Sequence, residues 1–149
     1  MAYMLSNFMK VVVDTNIFVS AIMAAHSAPR QIIRLCLQGE LQPLMGNALL
    51  AECEAVCSRA GLFDDAVLSP NDRGALLDAF LSSCLWTPIY YLWRPNLRDE
   101  ADNHVVELGV AGGAQAIITA NVRDFARPAL LFPGLTVVTA GEYLAGRSH

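Results

Sequence analysis

Apolar positions along this chain fall into short unbroken runs separated by stretches of helical periodicity. The first run, Val11-Val12-Val13, is β-branched, follows Lys10 and ends at Asp14; it predicts a buried strand. Thr15-Asn16 and an apolar stretch through Ile22 then predict a helix. Ala28 to Gln38, with Ile32, Ile33, Leu35 and Leu37, predicts a second helix stopped at Gly39. A short strand is expected over Leu41 to Met45. Gly46-Asn47 opens a helix to about Arg59, striped by Leu49, Leu50, Cys53, Val56 and Cys57. Ser69-Pro70 is a helix start with proline in the first turn, and the periodicity runs through Leu85. Trp86 to Leu92 is expected as a strand that Pro88 confines to an edge or interrupts. Asp99 to Val110 is the next helix, closed by Gly112-Gly113, and Ala116–Thr119 and Leu135–Thr139 are the last strands expected. Strands alternating with helices argue for a parallel sheet covered on both faces, an α/β class.

The 149 residues suffice for one well-buried core, so a single domain over 1–149 is expected. Residues 1–8 are read as a loose extension or the product of an early start codon. That segment has neither a basic region nor a long apolar one, so it does not read as a secretory signal. No apolar run approaches the ~20 residues of a membrane-spanning helix. A cytoplasmic protein without membrane attachment is the expectation.

Charge complicates any nucleic-acid role. The formal balance is −4, whereas phosphate binding usually accompanies a basic surplus. Yet the acids are unevenly placed, and setting aside Asp14, Glu52, Asp99, Asp102 and Asp124 reverses the sign. Cys36, Cys53, Cys57 and Cys84 contain no C-x-x-C pair and are expected as buried free thiols. His26, His104 and His149 lack metal-binding spacing, and no catalytic role is assigned to them.

In open α/β sheets the binding crevice lies beyond the carboxyl ends of the strands. Asp14 ends the first strand and Asp124 follows the strand at Ala116–Thr119, so two strand-end loops carry carboxylates. Asp14 could equally cap the next helix. Asp99 and Asp102, three apart, adjoin on the first turn of their helix, where Asp99 also suits an N-cap and Asp102 the helix dipole. Glu52 and Glu54 lie about equally far from the centre of their helix's apolar stripe, so periodicity cannot choose between them.

These segments carry a resemblance. Val11-Val-Val-Asp14-Thr15-Asn16-Ile17-Phe18 resembles the opening strand of PIN domains, and Arg98 to Thr119 resembles their D-x-x-D helix, glycine turn and following strand. Thr119-Ala-Asn121-Val-Arg-Asp124-Phe125 is similar to the T-x-N-x-x-D-F ending of VapC-type toxins, and Leu49 to Val56 resembles the helix bearing the family's mid-chain glutamate. The likeness spans nearly the whole chain. It implies an α/β/α sandwich around a five-stranded parallel sheet, and it selects Glu52 over Glu54. It also implies a metal cluster of Asp14, Glu52, Asp102 and Asp124, with Asp99 as an accessory and Thr15, Asn16 and Thr119 as polar supports. One departure is Asn121, where many relatives carry Asp; if Asn121 is the true counterpart and Asp124 points away, a second metal would be held weakly or not at all.

Oxygen ligands suit Mg²⁺ or Mn²⁺, and the implied activity is hydrolysis of RNA phosphodiesters. Arg98 and Arg123 flank the site segments and are candidates for phosphate pairing, or ordinary surface arginines. A toxin of this kind implies a cognate antitoxin and a homodimer; a housekeeping RNA-processing nuclease fits the same residues. A degenerate PIN-like binding module is a further alternative, which Asn121 keeps open. A dehalogenase-like phosphatase using Asp14 as nucleophile calls for a second Asp at the place of Asn16, and a nucleotide-binding domain calls for a glycine-rich loop that the first strand does not lead into.

Overall fold

The computed structural model describes residues 9–59, 61, 66, 68–89, 103–125, 132 and 134–147. In chain order these form β1 (Met9–Val13), α1 (Thr15–Met23), α2 (Ala28–Leu37), β2 (Leu41–Met45), α3 (Asn47–Cys57), α4 (Pro70–Ser83), β3 (Leu85–Trp86), α5 (Asn103–Gly112), β4 (Ala116–Ile118), a 3-10 turn at Val122–Phe125, β5 (Thr136–Val138) and α6 (Ala140–Arg147). The five strands are all parallel in the order β3-β2-β1-β4-β5. Val11, Val12 and Val13 are all buried, which in a strand of alternating side chains means that both faces are covered. One face belongs to α5, which packs on β1, β2 and β4. Val12 lies close to Gly109 of that helix. On the other side α2 packs against α1, α4 and α6. Phe80, the buried residue of α4, stacks on Phe18 of α1 with ring centroids 5.6 Å apart.

Chain direction across the sheet reverses once. Crossovers carry the chain outward from β1 to β2 to β3, and it then returns past β1 to β4 and β5. The gap between β1 and β4 at their carboxyl ends is therefore the switch point at which α/β sheets form sites.

Several expected boundaries are corrected. The helix expected through Leu85 stops at Ser83, because Cys84 is extended (φ −79, ψ 146) and Leu85 pairs with Leu44. The strand expected over Trp86–Leu92 is only Leu85–Trp86; Thr87–Ile89 lie outside it and residues 90–92 lie outside the described residues. The helix expected from Asp99 to Val110 is described from Asn103 and reaches Gly112, with Gly113 in the left-handed conformation (φ 70) that ends it. Of the four free thiols, Cys36 and Cys53 are buried as expected, but Cys57 and Cys84 are partly exposed. The α6 helix was not foreseen. Its signal is Thr139-Ala-Gly-Glu142, a capping box: the Glu142 amide donates to Thr139 Oγ1 at 3.1 Å, and Glu142 Oε1 accepts from the Thr139 amide at 2.9 Å.

Candidate active site

Asp14 sits where β1 stops. Its amide donates to the Ile118 carbonyl at 3.0 Å, extending the β1–β4 ladder by one step, and its φ and ψ (−66, 151) make it the N-cap of α1. Its Oδ1 accepts from the Thr15 amide at 2.8 Å. The capping reading is thus realised, but it uses only one carboxylate oxygen.

The other oxygen is held by the neighbouring strand end. Thr119, fully buried directly after β4, donates through Oγ1 to Asp14 Oδ2 at 2.8 Å. Asn16 Nδ2 donates to the same oxygen and to Thr119 Oγ1, each at 3.3 Å, while Asn16 Oδ1 accepts from the Ala120 amide at 3.1 Å. Thr119 Oγ1 also accepts from the Asn121 amide at 3.1 Å. Two polar side chains, Thr119 and Asn16, and the Thr15 amide thus fix one carboxylate across the switch point, and the Ala120 and Asn121 amides brace those side chains.

Burial pushes the Asp14 carboxyl above its usual pKa range, the Thr119 hydrogen bond pulls it back, and the charge of Glu52 raises it again. Glu52 therefore stands near Asp14, brought by α3, which touches α1 and α5. Glu54, two positions on, is exposed. Glu52 Oε2 lies 2.6 Å from Nε2 of His104, at the start of α5, and this hydrogen bond is the main reason its pKa is lowered, with a smaller lowering from Thr15. Thr15 is buried, with its hydroxyl 3.4 Å from Cys53 Sγ.

The remaining expected residues divide. Asp124 is half-buried in the 3-10 turn after β4, its amide bonded to the Asn121 carbonyl at 3.0 Å, and Asn121 and Arg123 are exposed there. Arg98, Asp99 and Asp102 lie outside the described residues. Among the described residues no group of three or more His, Cys, Asp or Glu side chains is assembled for a metal ion. What stands together is Asp14, Glu52, Thr15, Asn16, Thr119 and His104. Sequence reading passed over His104, whose signal is weak, because its partner is 52 positions away. It also passed over Asn103 and Glu107, both buried polar residues of α5. A cavity of about 470 Å³ lies at the opposite edge of the sheet, lined by Met9, Gln115, Thr136 and Tyr143 among others; cavity size therefore does not mark the carboxylate site.

A carboxylate that is 4% exposed beside a second one is costly without a cation. The donor set is oxygen-only on these two residues, and Oδ1 of Asp14 has a single described donor. Such a pair fits a hard divalent ion.

No curated protein matches the chain. Among solved structures, the crystal structure of VapBC2 from Rickettsia felis bound to a DNA fragment from their promoter is similar in fold, with a TM-score of 0.59 at 20% identity, over 87% of this chain and 97% of that one. The family model described as PIN domain matches residues 10–123, from β1 through the turn that follows β4 and so across both strand ends of the site, and the chain belongs to the PIN domain family.

Proposed function

We propose that this protein is a divalent-metal-dependent endoribonuclease and the toxin of a toxin–antitoxin pair. The observation that carries the reading is Asp14: a buried carboxylate at the switch point, gripped on both oxygens, with the charge of Glu52 acting on it. Mg²⁺ or Mn²⁺ would be held by Asp14 and Glu52, joined by Asp102 and Asp124, with Asp99 as an accessory; bound there, it would supply an activated water and neutralise charge developing on the phosphodiester.

The chain's own residues have separable tasks. Thr119, Asn16 and the Thr15 amide fix Asp14 in one orientation, so that no rotamer freedom is lost when a cation arrives. Arg98 and Arg123 pair with substrate phosphates. Exposed Asn121 leaves Asp124 as the acid available beyond β4 for any second ion.

An antitoxin partner is supported by the solved neighbour, a VapBC2 complex, and a homodimer accompanies this reading. A cytoplasmic location belongs to the same proposal; among the described residues no helix is long and apolar enough to cross a membrane. Cleavage of a mixed single-stranded RNA with Mn²⁺ tests the proposal, with chelator and Asp14→Asn as controls. Cleavage lost in both supports it. Cleavage that survives Asp14→Asn refutes the site, and inactivity of folded protein across varied RNAs favours a binding module instead.

A further inference from the structure

Glu52 is the less constrained of the two described carboxylates. Its side chain is 35% exposed, and a glutamate on a helix surface ordinarily samples many rotamers, so that fixing it costs conformational entropy. Here one contact reaches it from a different helix. His104 Nε2 lies 2.6 Å from Glu52 Oε2, and only 18% of the imidazole is exposed. His104 Nδ1 is buried with no hydrogen-bond partner among the described residues. A buried N–H without an acceptor is rarer than a buried acceptor without a donor. The fitting tautomer therefore carries its proton on Nε2 and donates it to Glu52.

We infer that His104 is a positioning residue of the site: it anchors Oε2 of Glu52 so that the carboxylate stays turned toward Asp14, ready for the cation. The inference rests on the metal-nuclease reading above. His104 does not touch the ion or the substrate and acts only through Glu52. The bond spans α3 and α5, so it also fixes how the glutamate helix meets the helix start next to Asp102. Outer partners of metal-binding side chains typically change affinity by about 10–100-fold when removed.

The test is Mn²⁺ binding by the full chain, followed by electron paramagnetic resonance, for wild type, His104→Ala, His104→Gln, Glu52→Gln and the His104→Ala/Glu52→Gln double variant. Thermal unfolding without metal is measured alongside. His104→Ala is expected to weaken Mn²⁺ about tenfold. His104→Gln, whose amide can donate from nearly the place of Nε2, should restore most of that, and His104→Ala should add no loss once Glu52 is already Gln. A merely structural tether would lower the unfolding temperature in His104→Ala and leave Mn²⁺ affinity unmoved, which overturns the inference. Equal losses in the presence and absence of the Glu52 carboxylate overturn it as well. Should His104→Ala fail to fold, a wild-type-like Mn²⁺ affinity in Glu52→Gln carries the refutation, since anchoring a carboxylate that is not used has no consequence. Failure of the wild type itself to bind Mn²⁺ is a separate result, and removes the metal reading together with what rests on it.

Discussion

Replacing Thr119 with Val tests the Asp14 cradle with the least change of shape. Valine fills nearly the same volume, but the hydroxyl that donates to Asp14 Oδ2 at 2.8 Å is gone. A hydrogen bond to a charged group is worth about 1.5–3 kcal/mol. The Asn121 amide also loses its acceptor, but Asn121 is exposed and water can replace it. Asn16 Nδ2 keeps Asp14 Oδ2. About 2 kcal/mol is therefore expected at neutral pH, equivalent to a Tm lower by about 4–8 °C for a chain near 150 residues. The hydroxyl stabilises the ionised carboxylate, since it pulls the Asp14 pKa down against burial. The variant's Asp14 pKa is therefore the higher of the two, and the loss is full above it and narrows as the pH falls from the variant's pKa to the wild type's, because the variant takes up its proton first. In an Asp14→Asn background the same substitution removes only a neutral contact, so the two changes should couple by about 1 kcal/mol. Calorimetric melts at pH 5 and pH 8, on the wild type, both single variants and the double variant, measure every term. A Thr119→Val cost that is identical at both pH values and unchanged by Asp14→Asn would refute the cradle.

The metal-free chain should itself become more stable as the pH falls from neutral toward Asp14's raised pKa, because the folded state takes up that proton before the unfolded one; Asp14→Asn should melt higher at pH 7 and lack this slope, and a lower melt would contradict it. Glu52, held low by His104, acts in the opposite sense and only in stronger acid, its contribution fading as the pH drops through its lowered pKa; Glu52→Gln should flatten that acid limb of the melting curve. Gly112→Ala would press a new methyl onto Leu44 Cδ1 and to 3.2 Å from Thr87 Cγ2, a cost of about 1–3 kcal/mol by overpacking that denaturant titration would register as a lower midpoint at constant slope. Burial pushes the Cys36 and Cys84 thiols up to about 12 and Cys53 to about 11, so native-state labelling at pH 7.5 should proceed first at Cys57, and Cys57→Ser should remove the fastest phase.

Much of the fold is written in periodicity because the sheet is buried on both faces. Val11-Val12-Val13 and Ala116-Ile117-Ile118 have no polar alternation to confuse them with surface strands, and each is bounded by a residue that the site uses. The edge reads less well. Leu85 and Trp86 are 44% and 51% exposed, so no burial pattern separates them from the helix before them or the loop after them; pairing with Leu44 and Met45 defines β3, and that pairing is long-range. At α6 the difficulty is different, since Thr139-Ala-Gly-Glu142 is a local capping signal that can be read without tertiary knowledge, yet the helix behind it is short and contains two glycines.

The site divides along the same line. Asp14 is fixed by where a strand ends, a property of the chain's own local pattern, and so is legible from the residues, whereas Thr15, Asn16 and Thr119 are reached only through the family resemblance, since the bonds joining Thr119 to Asp14 and to Asn16 span 105 and 103 positions. Choosing Glu52 over Glu54 is not local. On α3 both flank the stripe containing Leu49 and Cys53, and only the packing of that helix against α1 and α5 turns Glu52 inward to meet Thr15 and His104 while Glu54 faces solvent. His104 is hidden for the same reason: an imidazole at a helix start has no chemistry of its own until a second helix delivers its acceptor. An acid at a strand end can thus be nominated from the chain's own pattern, whereas a partner delivered by a second helix emerges only when the helices are packed. That is why His104, rather than a further acid, is the part of the site that geometry adds.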